Sequence, residues 1–269
     1  MIQTLVSHYC VGTTWLKALV FTIMNRSLYE NGTHHLLTKT SDDCIQNLEL
    51  YIYRDSGRTL PLDDIPSPRF FSTHVPYTSL PKSVIDSKCK IIYIYRDPKD
   101  VLISFYHFAS KVIPKMRGHE DHGASQMDNF SIFDAYDLFC KGLSPYGQYW
   151  NHVLSYWKAS IERPQNILFL RYEDLKQDLQ FCVKKLAQFL GQPFSIQEEE
   201  RGEIQRIVDL CSFEFLSRLQ INKTGTYIWS FSNDAFFRKG EVGDWKNYLT
   251  LDMAEHLDQI IKQKLDGAA

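Results

Sequence analysis

The sequence predicts an α/β protein with one domain, in which a central parallel sheet is flanked by helices. The first observation is an alternation of short β-rich runs with amphipathic helical runs, which is typical of parallel strands joined by crossover helices. The second is the segment from Lys90 to Tyr95, which is apolar enough for a strand buried on both faces. No repeat or linker divides the chain, so we expect one domain over residues 1–269.

The predicted elements follow one another along the chain. Short runs of β-branched, aromatic and other apolar residues predict strands at 2–6, 70–73, 90–95 and 166–170. Helical spacing of apolar residues predicts helices at 13–26, 149–162, 175–190 and 251–265. A further helix begins at Pro98, because proline suits a first helical turn and Val101, Leu102 and Phe105 follow at helical spacing. Residues 219–243 show no clear period and are rich in Asn, Gly and Ser, which predicts a long loop.

The composition narrows the class of ligand and the location of the protein. The formal net charge of −2 gives no general field for nucleic acid, so we expect a small ligand bound by a few local residues. The six cysteines have no Cys-x-x-Cys and no metal-ligand spacing, which favours reduced thiols and no metal. No signal-like segment and no run of eighteen apolar residues occurs, so we expect a cytoplasmic protein that does not bind membranes.

A candidate anion-binding turn lies between the first predicted strand and the helix that follows it. Gly12, Thr13 and Thr14 place two hydroxyls and free helix-start amides where a phosphate could bind, although the same pattern also serves as a plain turn and cap. The ATP and GTP loop has an earlier glycine where this chain has Ser7, and no lysine follows Gly12. A nucleoside or shikimate-type kinase is therefore the least favoured class.

Three other stretches carry candidate functional groups. His74 follows the strand at 70–73 and is a candidate general base, because ligands bind at that edge of an open α/β sheet; a structural histidine is the alternative. Arg96 after the strand at 90–95 and Ser104 on the next helix can hold a phosphate, unless Arg96 forms only a surface ion pair with Asp97.

The third stretch is RKGEVGDWKN, residues 238–247, in the region predicted as a loop and just after it. Two cations precede a glycine at its start, in Arg238, Lys239 and Gly240. Such a segment suits a flap that closes over an anion through main-chain amides and charged side chains together. A solvated basic turn is the alternative.

In this order the four stretches resemble the plant branch of the cytosolic sulfotransferases, from about residue 5 to the end of the chain. The segments YRDPKD and RKGEVGDWKN are its most specific parts. The resemblance implies the P-loop NTPase-like sulfotransferase fold. It also implies transfer of a sulfonate from 3′-phosphoadenosine 5′-phosphosulfate (PAPS) to a hydroxyl of a small aromatic or steroid-like acceptor, without a metal.

The resemblance also implies a role for each matching residue. Gly12, Thr13 and Thr14 match the loop around the 5′-phosphosulfate, and Trp15 matches the indole that stacks on adenine. Arg96 and Ser104 match the residues that hold the 3′-phosphate, and Arg238, Lys239 and Gly240 match the loop that closes over it. Further matches, on the adenine side, are Tyr172, Cys211 and Phe213. His74 matches the catalytic base, which takes the proton of the acceptor hydroxyl.

The chain also departs from the pattern of these sulfotransferases. Cys10 stands at the position of their loop lysine and Tyr9 at that of the preceding proline, and the chain begins only a few residues before this loop, so it is N-terminally short beside the family. The alternative function is therefore a catalytically impaired protein that binds the nucleotide without efficient turnover. The segment from Lys246 to Glu255 resembles the short pairing motif of the family, which implies a weak homodimer.

Overall fold

Five parallel strands form the sheet of this computed structural model, which describes residues 2–7, 11–28, 33–49, 69–87, 89–116, 130–227 and 232–266. The strands are β1 (Ile2–Ser7), β2 (Gln46–Asn47), β3 (Arg69–Thr73), β4 (Lys90–Tyr95) and β5 (Ile167–Arg171). Their order is β2-β3-β1-β4-β5, and every neighbouring pair is parallel. Because β1 lies between β3 and β4, the strand order changes direction beside β1. The loops after the strands diverge at this point and leave a crevice at the carboxyl ends of the strands.

The helices of the described chain surround this sheet. They are α1 (Thr13–Asn25), α2 (Ser41–Cys44), α3 (Lys82–Asp86), α4 (Pro98–Met116), α5 (Ile132–Cys140), α6 (Tyr149–Glu162), α7 (Tyr172–Gln177), α8 (Leu179–Phe189), α9 (Ile196–Glu200), α10 (Glu203–Leu210), α11 (Phe213–Arg218), α12 (Gln220–Thr224) and α13 (Leu251–Asp266). Short 3-10 helices cover His35–Leu37, Tyr77–Ser79, Asn233–Phe236 and Asp244–Asn247.

Apolar side chains pack on both faces of the sheet, as the alternation along β4 requires. Ile92 and Ile94 point to one side, where they join a large core with residues of α1, α4, α8 and α10. Ile91 and Tyr93 point to the other side and pack with Tyr156 of α6. The prediction of a parallel sheet flanked by helices is therefore confirmed, and each predicted strand is present within a residue or two of its predicted bounds.

One helix prediction was wrong. Residues 175–190 were expected to form a single helix, but the chain breaks at Asp178, whose backbone is not helical. The Asp178 side chain instead accepts a hydrogen bond of 2.9 Å from the Phe181 amide and so caps α8. Aspartate favours such local bonds to the backbone, and this preference outweighs the apolar periodicity on either side.

The long loop expected at 219–243 is also partly wrong, because α12 and the 3-10 helix Asn233–Phe236 lie within it. Asn233 connects the two, since its side chain donates to the Ile221 carbonyl over 2.9 Å and its amide donates to the Gly225 carbonyl over 2.9 Å. These tertiary contacts order a segment that carries no periodic apolar pattern. Among the helices described, none combines the length and the hydropathy needed to cross a membrane.

Candidate active site

The loops that follow four neighbouring strands meet at the carboxyl edge of the sheet. Gly12 comes after β1, His74 after β3, Arg96 after β4 and Tyr172 after β5. These residues line one cavity of about 180 Å³. Every residue predicted for the site except Cys211 lies in its lining, so the fold brings together groups that are far apart in the sequence.

The turn after β1 is shaped by Gly12. Its φ of 105° is in the left-handed region, and a Cβ at this position would lie 2.7 Å from the Tyr172 ring. Glycine is therefore required both by the backbone and by the close approach of the ring. Helix α1 starts at Thr13 and has no acidic residue in its first turn, so the positive end of its dipole favours an anion here.

Aromatic side chains form an apolar slot beside this turn. The ring of Trp15 meets Tyr172 edge-on at 5.6 Å, and its buried Nε1 has no hydrogen-bond partner among the described residues. Phe213, at the start of α11, packs so closely on Gly240 that a Cβ there would lie 2.6 Å from the phenyl ring. Lys176 lies 5.7 Å from the Trp15 ring. Rings in this arrangement suit a planar heterocycle.

Arg96 is held rigidly in the same cavity. Its guanidinium lies over the Tyr172 ring at 4.5 Å, since both residues directly follow paired positions of β4 and β5. One terminal nitrogen donates to the Glu241 carbonyl and lies 3.3 Å from the buried carboxylate of Asp100. The Asp100 carboxylate also accepts bonds from the Gly243 and Trp245 amides, which attach the loop at 238–247 to α4. The Nε of Arg96 is buried and has no partner in the described chain.

Arg238 and Lys239 form a second group of cations around one carboxylate. Both side chains bond to Asp244, Lys239 at 2.6 Å, and Asn247 donates to the same carboxylate over 2.8 Å. Burial alone would raise the pKa of Asp244, but the hydrogen bonds from Lys239, Arg238 and Asn247 hold that pKa well below its usual range. Ser104, half-buried on α4, lines the cavity with them. A buried carboxylate thus holds the two cations together.

The backbone of His74 is held from both sides. Its amide donates to Glu49 Oε1 over 2.7 Å, and the hydroxyl of Thr73 donates to the same oxygen over 2.7 Å. On the other side, Nε2 of His152 donates to the His74 carbonyl over 3.0 Å. The imidazole of His74 packs on the ring of Tyr146 at 5.4 Å between centroids. These contacts fix where the imidazole enters the cavity.

As a neutral ring, His152 can donate through one nitrogen and accept through the other. Because Nε2 donates to a carbonyl, Nδ1 accepts the hydroxyl of Tyr93 over 3.0 Å. Burial lowers the pKa of His152 from 6.5 to about 4, while its bonds to the backbone of His74 and Val75 oppose this.

We expect this buried histidine to make stability depend on pH. The unfolded chain takes up the proton near pH 6.5, and the folded chain only near 4. The free energy of unfolding is thus undiminished above about pH 6.5 and falls as the pH drops toward 4. Urea titrations of the wild type and of His152→Gln, which can donate and accept at the same positions, measure this. A variant with the same pH dependence as the wild type would contradict the assignment.

Cys211 is the predicted site residue that the structure does not bring into the cavity. It follows the end of α10, and its thiol is fully buried in the large core, 3.4 Å from the Thr22 hydroxyl on α1. Its burial raises the pKa of the thiol to about 12. Ser212 directly afterwards caps α11, so the chain turns the side chain of Phe213 toward the cavity and that of Cys211 away from it.

The cavity also contains residues that were not singled out from the sequence. They include Lys17, Asp42, His107, Phe108, Lys176 and Phe237. Lys17 and Lys176 could have been found from spacing, since each lies four residues after a predicted site residue, Thr13 and Tyr172, on the same helix. Nothing in the local sequence indicates Asp42, which reaches the cavity through tertiary packing. Tyr9 and Cys10 lie outside the described residues.

Comparison with known proteins finds relatives over nearly the whole chain. Residues 5–269 match the family model of the sulfotransferase domain. The flavonol 3-sulfotransferase of Flaveria bidentis is 45% identical over 267 residues, which cover 97% of this chain and 80% of that protein. Cytosolic sulfotransferase 5 of Arabidopsis thaliana is 42% identical over 262 residues, 96% of this chain and 77% of that protein.

Solved structures of sulfotransferases have a fold similar to that of this chain. A putative steroid sulphotransferase of Arabidopsis thaliana has a TM-score of 0.71 and 33% identity, covering 100% of this chain and 77% of that one. A mouse sulfotransferase, solved in complex with PAP, has a TM-score of 0.71 and 28% identity, covering 98% of this chain and 84% of that one. The fold, the matched domain and these relatives together show that the chain belongs to the sulfotransferase family and is a sulfotransferase.

Proposed function

We propose that this sulfotransferase transfers the sulfonate of PAPS to a hydroxyl of a small aromatic or steroid-like acceptor, in the cytosol. The observation that carries the proposal is that one cavity combines an imidazole, an aromatic slot and a cluster of arginine and lysine side chains. The acceptor class is supported by relatives named as flavonol and steroid sulfotransferases. The location is supported by relatives named as cytosolic sulfotransferases.

The residues present fit the nucleotide. Buried Nε atoms of Arg96 and Arg238 lack partners among the described residues, and the oxygens of a phosphate are the acceptors that they would need. We assign the 3′-phosphate to Arg96, Ser104 and Arg238, with Lys239 and Gly240 closing over it. Trp15, Tyr172 and Phe213 would hold the adenine. The neighbour that was solved with PAP, the desulfonated cofactor 3′-phosphoadenosine 5′-phosphate, supports this ligand.

The 5′ end of the nucleotide would bind at the start of α1. The first amides of that helix and the hydroxyls of Thr13 and Thr14 offer several donors in one turn, and Gly12 lets the backbone approach closely. These groups stabilise the negative charge that grows on the leaving phosphate oxygen during transfer. When bound, PAPS supplies the sulfonate group and a phosphate leaving group.

His74 would act on the acceptor and not on the nucleotide. A hydroxyl is a weak nucleophile until its proton is removed, and a neutral imidazole can remove it near pH 7. One bond forms between the acceptor oxygen and sulfur, and the bond from sulfur to the leaving phosphate oxygen breaks. The proton remains on the His74 ring. The hydrogen bonds from the His74 amide to Glu49 and from His152 to the His74 carbonyl hold the backbone that carries this ring, so the base is preorganised.

A second candidate function, nucleotide binding without efficient turnover, depends on Cys10 at the position of the loop lysine. It is the weaker candidate, because the known relatives are named as enzymes. One experiment separates the two functions. The purified protein is incubated with radiolabelled PAPS and a panel of flavonols and sterols, while calorimetry measures its affinity for PAP. We expect both transfer and binding. Binding without transfer to any acceptor would support the second function, and absence of PAP binding would contradict both.

We expect Arg96→Ala to reduce discrimination for the 3′-phosphate. The variant loses a charge-assisted bond that contributes roughly 1.5–3 kcal/mol, so its preference for PAP over adenosine 5′-monophosphate should fall by about ten- to a hundredfold. Asp100 keeps its bonds from the Gly243 and Trp245 amides, so the loop remains attached. Calorimetry with both nucleotides measures the preference.

Arg171→Ala is the matched control. Arg171 ends the neighbouring strand β5, and its half-exposed side chain pairs with Glu173 outside the cavity lining. This variant should keep the wild-type preference for PAP. An Arg96→Ala protein that binds both nucleotides as the wild type does would contradict the assignment.

We also propose a weak homodimer through the segment from Lys246 to Glu255. Leu251, in this segment, is 75% exposed and Val242, near it in the sequence, is 47% exposed. Such a short segment can bury only a small area, so association should appear at high concentration alone. Light scattering over a concentration series should show dimers of the wild type and none of Leu251→Glu. Phe181→Glu, at an exposed position of α8, should dimerise as the wild type does. A wild type that stays monomeric throughout would refute the interface.

A further inference from the structure

A buried ion pair lines the cavity next to the start of α1. Lys17 of α1 and Asp42 of α2 approach to 2.5 Å, and their side chains are only 4% and 8% exposed. Both residues belong to the lining of the cavity that holds His74, Thr13 and Thr14. None of the roles assigned above uses this pair. A charged pair out of contact with water costs free energy unless its remaining donors and acceptors are also satisfied.

The lysine is not fully satisfied. An ammonium group has three hydrogen-bond donors, and among the described residues Asp42 is its only partner. Two donors thus remain on a buried cation that borders the cavity. At the C-terminal cap of α1, by contrast, Arg26 satisfies its donors with Glu198 and with the carbonyls of Ile23 and Pro193. The two unused donors of Lys17 therefore indicate that a ligand provides the missing hydrogen-bond acceptors.

The position of the ammonium favours the sulfonate end of the nucleotide. Lys17 lies four residues after Thr13, one turn along α1, and so on the same face of the helix. Asp42 is fixed in turn, because a capping box between Thr40 and Asp43 holds the short helix α2 around it. The ammonium is thus held by a rigid partner on the side of the cavity where the 5′ end would bind.

We propose that the ammonium of Lys17, held in place by Asp42, donates its free hydrogen bonds to the sulfonate of bound PAPS. The inference rests on the proposed function, since it assigns a ligand to a residue of the same site. Lys17 would bind the sulfonate in the bound cofactor and continue to bind it as the group moves to the acceptor. This role of Lys17 differs from that of the first-turn amides of α1, because those amides would bind the phosphate that stays on the nucleotide.

The test compares two ligands that differ only in the sulfonate. Affinities for PAPS and for PAP are measured by competition against a fluorescent nucleotide, with wild type, Lys17→Met and the double variant Lys17→Met with Asp42→Asn. The double variant leaves no unpaired buried carboxylate, so it separates loss of the ligand contact from loss of folding. Arg26→Met is the matched control, because it removes a cation at the C-terminal cap of the same helix, outside the cavity lining.

In both Lys17 variants, the preference for PAPS over PAP should fall by roughly ten- to a hundredfold, the effect of losing a charge-assisted hydrogen bond. Affinity for PAP itself should stay near that of the wild type, and Arg26→Met should keep the wild-type preference. A folded double variant with an unchanged preference would overturn the proposal and leave the pair purely structural, while sulfotransferase activity would still stand. If the wild type binds neither ligand, the proposed function fails and this inference with it.

Discussion

His74→Ala is expected to abolish sulfonate transfer and to leave the affinity for PAP unchanged. The imidazole contacts the acceptor and not the nucleotide in our assignment, so its loss affects the proton transfer alone. General bases of this kind contribute about 10²–10⁴-fold to the rate. Single-turnover transfer of radiolabelled sulfonate and calorimetry with PAP measure the two quantities separately.

His256→Ala provides the control for this variant. His256 lies on α13 outside the cavity lining, where its Nδ1 is 2.8 Å from the Tyr136 hydroxyl. It should transfer sulfonate at the wild-type rate. If His74→Ala also keeps that rate, His74 is a structural histidine that Glu49 and His152 fix for another reason. A large loss of PAP affinity in His74→Ala would instead place the residue beside the nucleotide.

Replacing Cys10 by lysine should raise turnover far more than it tightens PAP binding. The resemblance puts this position where related enzymes carry the loop lysine, and Tyr9→Pro would restore the residue before it. A cation there neutralises charge on the bridging oxygen as the sulfonate departs, and a preorganised donor of this kind typically changes turnover by ~10²–10³. Because the interaction strengthens in the transition state, kcat should change more than affinity.

Cys10→Met, with the same Tyr9→Pro change, is the matched control for the lysine variant. It brings a longer side chain without a charge and should give no gain in turnover. The comparison needs only the kcat of each protein with one shared acceptor and calorimetry with PAP. A lysine variant that binds PAP normally but turns over no faster than the methionine variant would show that Cys10 does not limit the reaction.

The location of the site could be predicted from the sequence because it depends on strand ends. Parallel strands bring their carboxyl ends to one edge, so residues that follow separate strands become neighbours whatever lies between them. Gly12, His74 and Arg96 were found in this way. The paired register of Tyr95 with Arg171 then explains why Arg96 stacks on Tyr172.

Other features depend on tertiary packing, which local patterns do not record. Cys211 and Phe213 are two residues apart, yet one turns into the core and the other into the cavity, because a helix ends and another begins between them. Lys17 and Asp42 form an ion pair although they are 25 residues apart in the sequence. No periodic apolar pattern marks the position of Asp42. The break at Asp178 was missed since apolar spacing continues through it, and only the capping bond reveals it.

The proposed function requires that the cavity at the carboxyl edge of the sheet binds the nucleotide with its 3′-phosphate among Arg96, Ser104 and Arg238. A crystal structure of the protein with PAP tests this most directly. We expect the 3′-phosphate within hydrogen-bond distance of these three side chains, the adenine against Trp15 and Phe213, and the 5′-phosphate at the first amides of α1. A nucleotide bound outside this cavity, or bound in it with the 5′-phosphate on Arg96, would contradict the proposed binding mode.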